Sequence, residues 1–515
     1  MRGIYKTNLA ERPINQYNGQ IKTMQQLNRM LKLFILMGSA ILIYGCAVNP
    51  VTGNREVVFM SIEGEKELGA ENAKQVEEQM GLVDDPKLVS YIESIGQRLA
   101  KHSPYQDVTY QFQVVDMEEP NAFALPGGYV YVSRGLLVLV NAEDELAGVI
   151  GHEIGHVATR HSVQRLTRAA PIGLVTGVTS AAVGIVSSSL ANAVSGTGTL
   201  LNSAILAAYS REQENDADAI GQLLAIKAGW NPEGITHFLS TLDRETIRQG
   251  EEGGISFLAT HPSTPKRVKA TEIRAGELNA QNSSAVPVSA QAKNHQAFLD
   301  KLNGLIVGID DRQGVFLEQE FLHPTMNIGL VFPEDWKTTN QSQYVAAVSK
   351  QENALILLQL QGEGNDPVKA AHEFLNEANL GNQTVTKLLI GGLPASQTSV
   401  KSRKQESTVT WIAYDNQIFR LTSMIKNSGA KYRDAINQSI SSFHQLTAKQ
   451  KTKIQQQRLR IISARAGESL LALLKRSGSD WGEESCAIAN NLESGAVLKK
   501  GHLIKVVISE PFEKE

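Results

Sequence analysis

The chain has 515 residues, with 50 lysines and arginines against 53 aspartates and glutamates and a formal charge of -3, so it carries no electrostatic footprint for nucleic acid. Its only cysteines are Cys46 and Cys486. A fold of this size must therefore rest on core packing and bound metal rather than on disulfide staples.

Residues 1–29 are polar and mixed, and Leu33 to Tyr44 (LFILMGSAILIY) then forms an uncharged apolar run. That run is too short to span a membrane but has the length of a signal-peptide core, with Arg29 and Lys32 as its positive flank. It closes on Ile43-Tyr44-Gly45-Cys46, which resembles a bacterial lipoprotein box. The expectation is a lipoprotein-type signal over residues 1–45, starting in effect near Met24 or Met30, with lipid on Cys46 tying the protein to a membrane. Ala47 after the cysteine favours the outer membrane, and an uncleaved anchor is the alternative. In both cases the rest of the chain faces the periplasm.

Residues 61–105 read as helices, opened by the capping-type stretch Ser61 to Glu65 and carrying Leu88, Ile92, Ile95 and Leu99 at helical spacing. Thr109 to Asp116 alternates as a strand, Pro126-Gly127-Gly128 makes a turn, and Tyr129 to Val132 makes a second strand. Glu145 to Ala158 is a proline-free, largely apolar helix that would be buried. It contains GHEIGHVATR, in which His152 and His156 are four apart and share a helix face. Neutral imidazoles are favoured zinc ligands, and Glu153 between them is placed to take a proton from water at the metal. A buried pair of histidines with a carboxylate is costly unless a cation compensates it.

Ala169 to Ser210 lacks any Asp, Glu, Lys, Arg or His and is rich in Gly, Ala, Ser and Thr. It reads as a helical lid or plug beside the metal, with membrane contact as the alternative. A zinc that keeps a position open for water needs a third protein ligand. Downstream, Glu214 and Asp218 are again i and i+4, so that one could ligate while the other orients a histidine. Periodicity alone leaves Glu212 with Asp216 as an equal choice.

The metal-binding domain is expected over residues 46–278, and 279–293 (NAQNSSAVPVSAQAK) has the composition of a linker. Residues 294–446 alternate strands with a helix at Pro367 to Ala378 and read as an α+β domain of unknown role. In it His323, beside a proline, is expected to pack or cap. A connector at 447–457 leads to a last unit over 458–509.

The segments NAFALPGGYVYVSRGLL and EDELAGVIGHEIGHVATRH, between Asn121 and His161, and the later SREQENDAD occur in this order. Together they resemble the gluzincin zinc peptidases, the family that includes HtpX and BepA-type periplasmic proteases, over about residues 50–275. The resemblance implies one Zn2+ per chain on His152, His156 and Glu214, with Glu153 as catalytic base and Asp218 as the supporting aspartate. It also matches the family's His-Pro element to His261 and Pro262, where His261 would stabilise the oxyanion. Tyr129, Val130 and Tyr131 would form the edge strand along which an extended substrate pairs. Implied substrates are misfolded or misassembled envelope proteins. The final unit, with its Gly467-Glu468-Ser469-Leu470 turn and closing Gly501 to Val506 strand, resembles a LysM-like βααβ module that would bind peptidoglycan. The fold class expected is thus α+β: a mainly helical zincin metallopeptidase domain with a small edge sheet, an α+β domain, and the LysM-like module. Two other readings stay open, a chaperone or assembly factor with a masked metal and a peptidoglycan-anchored envelope protein.

Overall fold

The structure is a computed structural model that describes residues 60–166, 208–250, 256–262, 265–281, 288–341, 343–402 and 405–512, with a few more between 46 and 57. The signal-like region and all but the end of the Ala169 to Ser210 stretch lie outside the described residues. Cys46 opens a short strand, Cys46–Val48, that pairs antiparallel with Arg55–Val57.

Two helices lead in, α1 (Ile62–Met80) and α2 (Pro86–Ala100). Ser61 caps α1 by accepting from the Gly64 amide. Asp85 caps α2 ahead of Pro86, and the expected Leu88, Ile92, Ile95 and Leu99 stripe is buried. A three-stranded sheet follows, made of β1 (Gln111–Val115), β2 (Ala122–Leu125) and β3 (Tyr129–Ser133). Its order is β1-β3-β2, so the Tyr129 strand is central and not at an edge. Gly127 and Gly128, at φ 80° and 101°, turn the chain tightly enough to fold β2 back antiparallel on β3. The other side of β3 is taken by parallel pairing with β1. Val130 and Tyr131 are accordingly buried, and among the described strands none pairs with the outer side of β2.

Next come α3 (Arg134–Leu139) and α4 (Glu143–Ala158), the helix that carries the histidine pair. Glu143, Asp144 and Glu145 occupy the first turn of α4, where negative charge suits the helix dipole. From Glu145 to Ala158 every residue is buried. The chain returns in α5 (Arg211–Lys227), started by a capping box between Ser210 and Gln213, and continues through α6 (Gly234–Gln249), α7 (Ser256–Thr260) and α8 (Pro265–Gln281).

The crossing of α4 and α5 is made of residues without side-chain bulk. A Cβ on Gly155 would lie 2.9 Å from Ala217 Cα, and one on Gly221 would lie 2.7 Å from the His152 amide nitrogen. The two backbones therefore touch, which brings the carboxylates of α5 to the histidines of α4. Gly155→Ala is expected to cost about 1–3 kcal/mol of stability through overpacking, read as a lower urea midpoint at unchanged slope; a midpoint equal to the parent's would show that the crossing can widen freely.

The presumed linker is shorter than its composition suggests. Helix α8 continues to Gln281 and α9 (Val288–Leu302) follows, with Phe298, Leu299 and Leu302 packed into the same core as α4. Alanine and glutamine are good helix formers, so the sequence had no reason to stay extended there.

The middle region combines a sheet with a covering helix. Seven strands, each antiparallel to its neighbours, run from Thr386–Ile390 at one edge through Leu393–Lys401, Gln405–Tyr414, Gln417–Lys426, Ala354–Glu363 and Tyr344–Val348 to Lys337–Gln341. The helix Pro367–Glu377 covers Trp411 on one face. His323 accepts from the Met326 amide and so shapes a turn. The last unit has the order β4 (Gln455–Ser463), α10 (Leu470–Ser477), α11 (Glu483–Ala489) and β5 (Leu503–Pro511), with the two strands antiparallel. Among the described residues no helix is long and apolar enough to cross a membrane.

Candidate metal centre

His152 and His156 lie on successive turns of α4, both buried, with their Nε2 atoms 3.1 Å apart. Glu214, from the first turn of α5, brings Oε1 to 3.3 Å from His156 Nε2 and Oε2 to 3.6 Å from His152 Nε2. Donors held at zinc distances around one tetrahedral ion lie about 3.3–3.5 Å from each other. These three are spaced accordingly.

The tautomers agree with the spacing. His152 Nδ1 donates to Asp218 Oδ1 at 2.9 Å, which leaves a lone pair on its Nε2. His156 Nδ1 meets His161 Nδ1 at 2.8 Å, and a proton held by His156 in that bond leaves its Nε2 bare as well. Two lone pairs facing each other at this distance in a buried site call for a cation between them. Burial holds the His156 pKa well below its usual value, so the ring stays neutral and able to ligate. Burial pushes Glu214 the opposite way, but His261 and His156 outweigh it and keep the carboxyl well below its ordinary range. Two imidazoles and a carboxylate form a donor set that zinc prefers, and the residues present fit one such ion.

Glu153 sits beside this set with both carboxylate oxygens buried and without a hydrogen bond among the described residues. Burial raises its pKa, opposed by His261 and His152. A carboxylate in this state is poised to accept a proton rather than to hold the fold together.

His261 enters from the end of α7, its amide bonded to the Phe257 carbonyl and its ring stacked on Phe257 at 4.5 Å. Its Nδ1 is 3.0 Å from Glu214 Oε1, and its Nε2 is 3.5 Å from Glu153 Oε1. Those two carboxylates lift its pKa against the effect of burial. His152, His156, Glu214 and His261 each offer a ligand atom within 4.8 Å of the others, a grouping able to hold one metal ion.

Three supporting groups were not anticipated from the sequence. Arg267, in the first turn of α8, forks onto Asp218 at 2.7 and 2.8 Å and reaches Glu214 Oε2 at 2.5 Å. Tyr209 stacks on the His156 ring at 3.7 Å and is covered in turn by the Arg165 guanidinium. Arg160, with a left-handed φ of 56°, turns the chain after α4 so that His161 meets His156, and its own side chain is held by Glu65 of α1 at 2.8 Å. The long lever arms from 209, 165 and 267 leave no periodic trace. Arg267 had one indirect signal: two buried carboxylates four residues apart require a cation.

A histidine pair and a glutamate from a second helix, with a buried carboxylate beside them that makes no hydrogen bond among the described residues, form a centre able to hold one metal ion and to take a proton from water at it. Residues 86–275 match the profile of Peptidase family M48. The chain is 29% identical over 226 residues to the mitochondrial metalloendopeptidase OMA1 of Schizosaccharomyces pombe, covering 43% of this chain and 64% of the relative. It is 30% identical over 236 residues to the beta-barrel assembly-enhancing protease of Escherichia coli, covering 44% of this chain and 47% of that one. The chain thus spans about half to two thirds of the length of these relatives. Among solved structures, the cyanobacterial PsbP of Synechocystis aligns at 8% identity over 26% of this chain and 95% of its own, with a TM-score of 0.21, too low to support an argument.

Proposed function

We propose that the protein is a zinc-dependent endopeptidase of the bacterial cell envelope that cleaves misfolded or misassembled envelope proteins. The observation that carries this reading is the buried Glu153, its oxygens without a hydrogen bond among the described residues, next to three donors spaced for one ion. Zinc held by His152, His156 and Glu214 supplies a Lewis acid that polarises a peptide carbonyl and acidifies water. Glu153 takes the proton of the attacking water and later delivers it to the leaving amine. Asp218 keeps His152 in its ligating tautomer, and His261 donates toward the developing oxyanion.

The substrate strand belongs along β2 rather than along Tyr129 to Tyr131, because among the described strands none pairs with the outer side of β2, and β2 packs against α4. Main-chain pairing there gives affinity with little demand on sequence, which suits unfolded chains. The apolar run before Cys46 supports a lipid-anchored, periplasm-facing location at the outer membrane. The name of the Escherichia coli relative supports an envelope substrate. The βααβ order of the last unit supports a LysM-like contact with peptidoglycan.

The four-donor grouping favours a second reading, in which His261 takes the position that water needs and the centre is gated, leaving a chaperone or assembly role. The test is zinc content and casein cleavage on protein starting at Ala47, before and after a chelator. One zinc per chain, with cleavage lost to the chelator and restored by zinc, is the expected result. Zinc without cleavage selects the gated reading, and no zinc sinks both.

A further inference from the structure

The end of the chain is built into the metal-binding domain by a buried lysine. Lys505, on β5, is fully buried, and its ammonium donates to the main-chain oxygens of Val138 at 2.8 Å and Val140 at 2.7 Å, at the carbonyl end of α3. Val140 leads directly through Asn141 into α4. The Asn141 amide donates to Glu145 Oε2 at 2.8 Å, and its side chain donates to the Leu139 carbonyl at 2.9 Å. Glu145 is itself buried in the first turn of α4, two turns ahead of His152 on the same face. Burial pushes the Lys505 pKa down and the Glu145 pKa up, and each group opposes the shift of the other across the module boundary.

The surroundings tie the same two units together. Leu459 of β4, Ala489 of α11 and Val507 of β5 share one apolar core with Leu146 and Ile150 of α4. Arg244 of α6 donates to the Leu492 carbonyl in the last unit. A lone ammonium in such a place would be strongly disfavoured, so its two carbonyl partners and nearby carboxylate fix where the module can sit.

We propose that Lys505 is a positioning residue for the metal centre: through the α3–α4 corner it lets the C-terminal module hold the first turn of α4 in register, making the module part of the catalytic unit. This rests on the zinc endopeptidase reading above. A module hung on a tether would show none of these contacts.

The test uses the full chain with K505M, E145Q and the E145Q/K505M pair. Folded K505M is expected to release zinc to a chelator about tenfold faster and to cleave casein with about tenfold lower kcat at little-changed KM, the scale of effect seen when groups supporting metal ligands are lost. Adding E145Q removes the carboxylate left without its cation, so the double variant should hold zinc better than K505M. Zinc release and kcat in folded K505M within about twofold of the parent, below the range for such supporting groups, would overturn the proposal. Should K505M not fold, E145Q/K505M is read against the parent, and equal zinc release overturns it. A parent that binds no zinc or cleaves nothing would instead be a failure of the endopeptidase reading.

Discussion

Glu153→Gln keeps one zinc per chain and loses peptide hydrolysis by about 10³-fold, in the range for removal of a positioned general base. The amide has nearly the carboxylate's shape but cannot accept the proton of the attacking water. Zinc should stay because Glu153 is not one of the grouped donors, and its contact with that group is the 3.5 Å approach to His261 Nε2, not to His152, His156 or Glu214. Stability should not fall, since a neutral amide costs less to bury than a carboxylate whose pKa burial has already raised. The measurements are zinc content, thermal unfolding at pH 7 and cleavage of casein by the same preparation. Cleavage within tenfold of the parent would mean that another group is the base. Lost zinc would instead make Glu153 a ligand.

The parts of this site legible in the sequence are those written at helical spacing. His152, Glu153 and His156 announce themselves because their helix has no proline and little polarity. The choice of Glu214 over Glu212 could not be made from periodicity, yet Ala217 and Gly221 carry the reason. They are the small residues that let α5 touch α4, and they face the same way as Glu214 and Asp218, while Glu212 points to solvent. Strand order was not legible, because β2 and β3 are both short apolar runs and only the pairing with β1 decides which is central. That pairing is non-local and leaves no periodic mark.

Lys505 shows the same limit at the other end of the chain. In an alternating strand Ile504 and Val506 belong to the core of the module itself, and Lys505 falls on the opposite face. From the sequence that face looks like solvent. In the fold it meets α3, so a residue type that is almost never fully buried without partners finds them in two carbonyls.

Arg267→Met should lower the stability of the metal-free protein by about 3–5 kcal/mol, the cost of breaking a buried ion pair by removing one partner. Arg267 is 6% exposed and is the cation that Asp218 and Glu214 share when no metal is present. Burial pushes the Asp218 pKa up, but the Arg267 guanidinium outweighs it and holds the carboxyl below its ordinary value. A carboxyl depressed in the folded state contributes stability that is present above its unfolded pKa and is lost as pH falls through the folded one. Without Arg267 the folded pKa of Asp218 rises, so the penalty of the variant is full only while Asp218 is ionised and shrinks as pH falls and the carboxyl takes up a proton. Zinc puts positive charge against Glu214 and against the His152–Asp218 pair, so the zinc-loaded variant should recover part of the loss. Urea unfolding of the parent and of R267M, each zinc-loaded and chelator-treated, at pH 7 and pH 5 separates these effects. The expected order has the gap between parent and variant widest in the chelator-treated protein at pH 7, narrower at pH 5, where Asp218 of the variant can take up a proton, and narrowed by zinc at pH 7. A metal-free R267M that unfolds with the parent would show that histidines alone neutralise the carboxylates, and that Arg267 is dispensable to the centre.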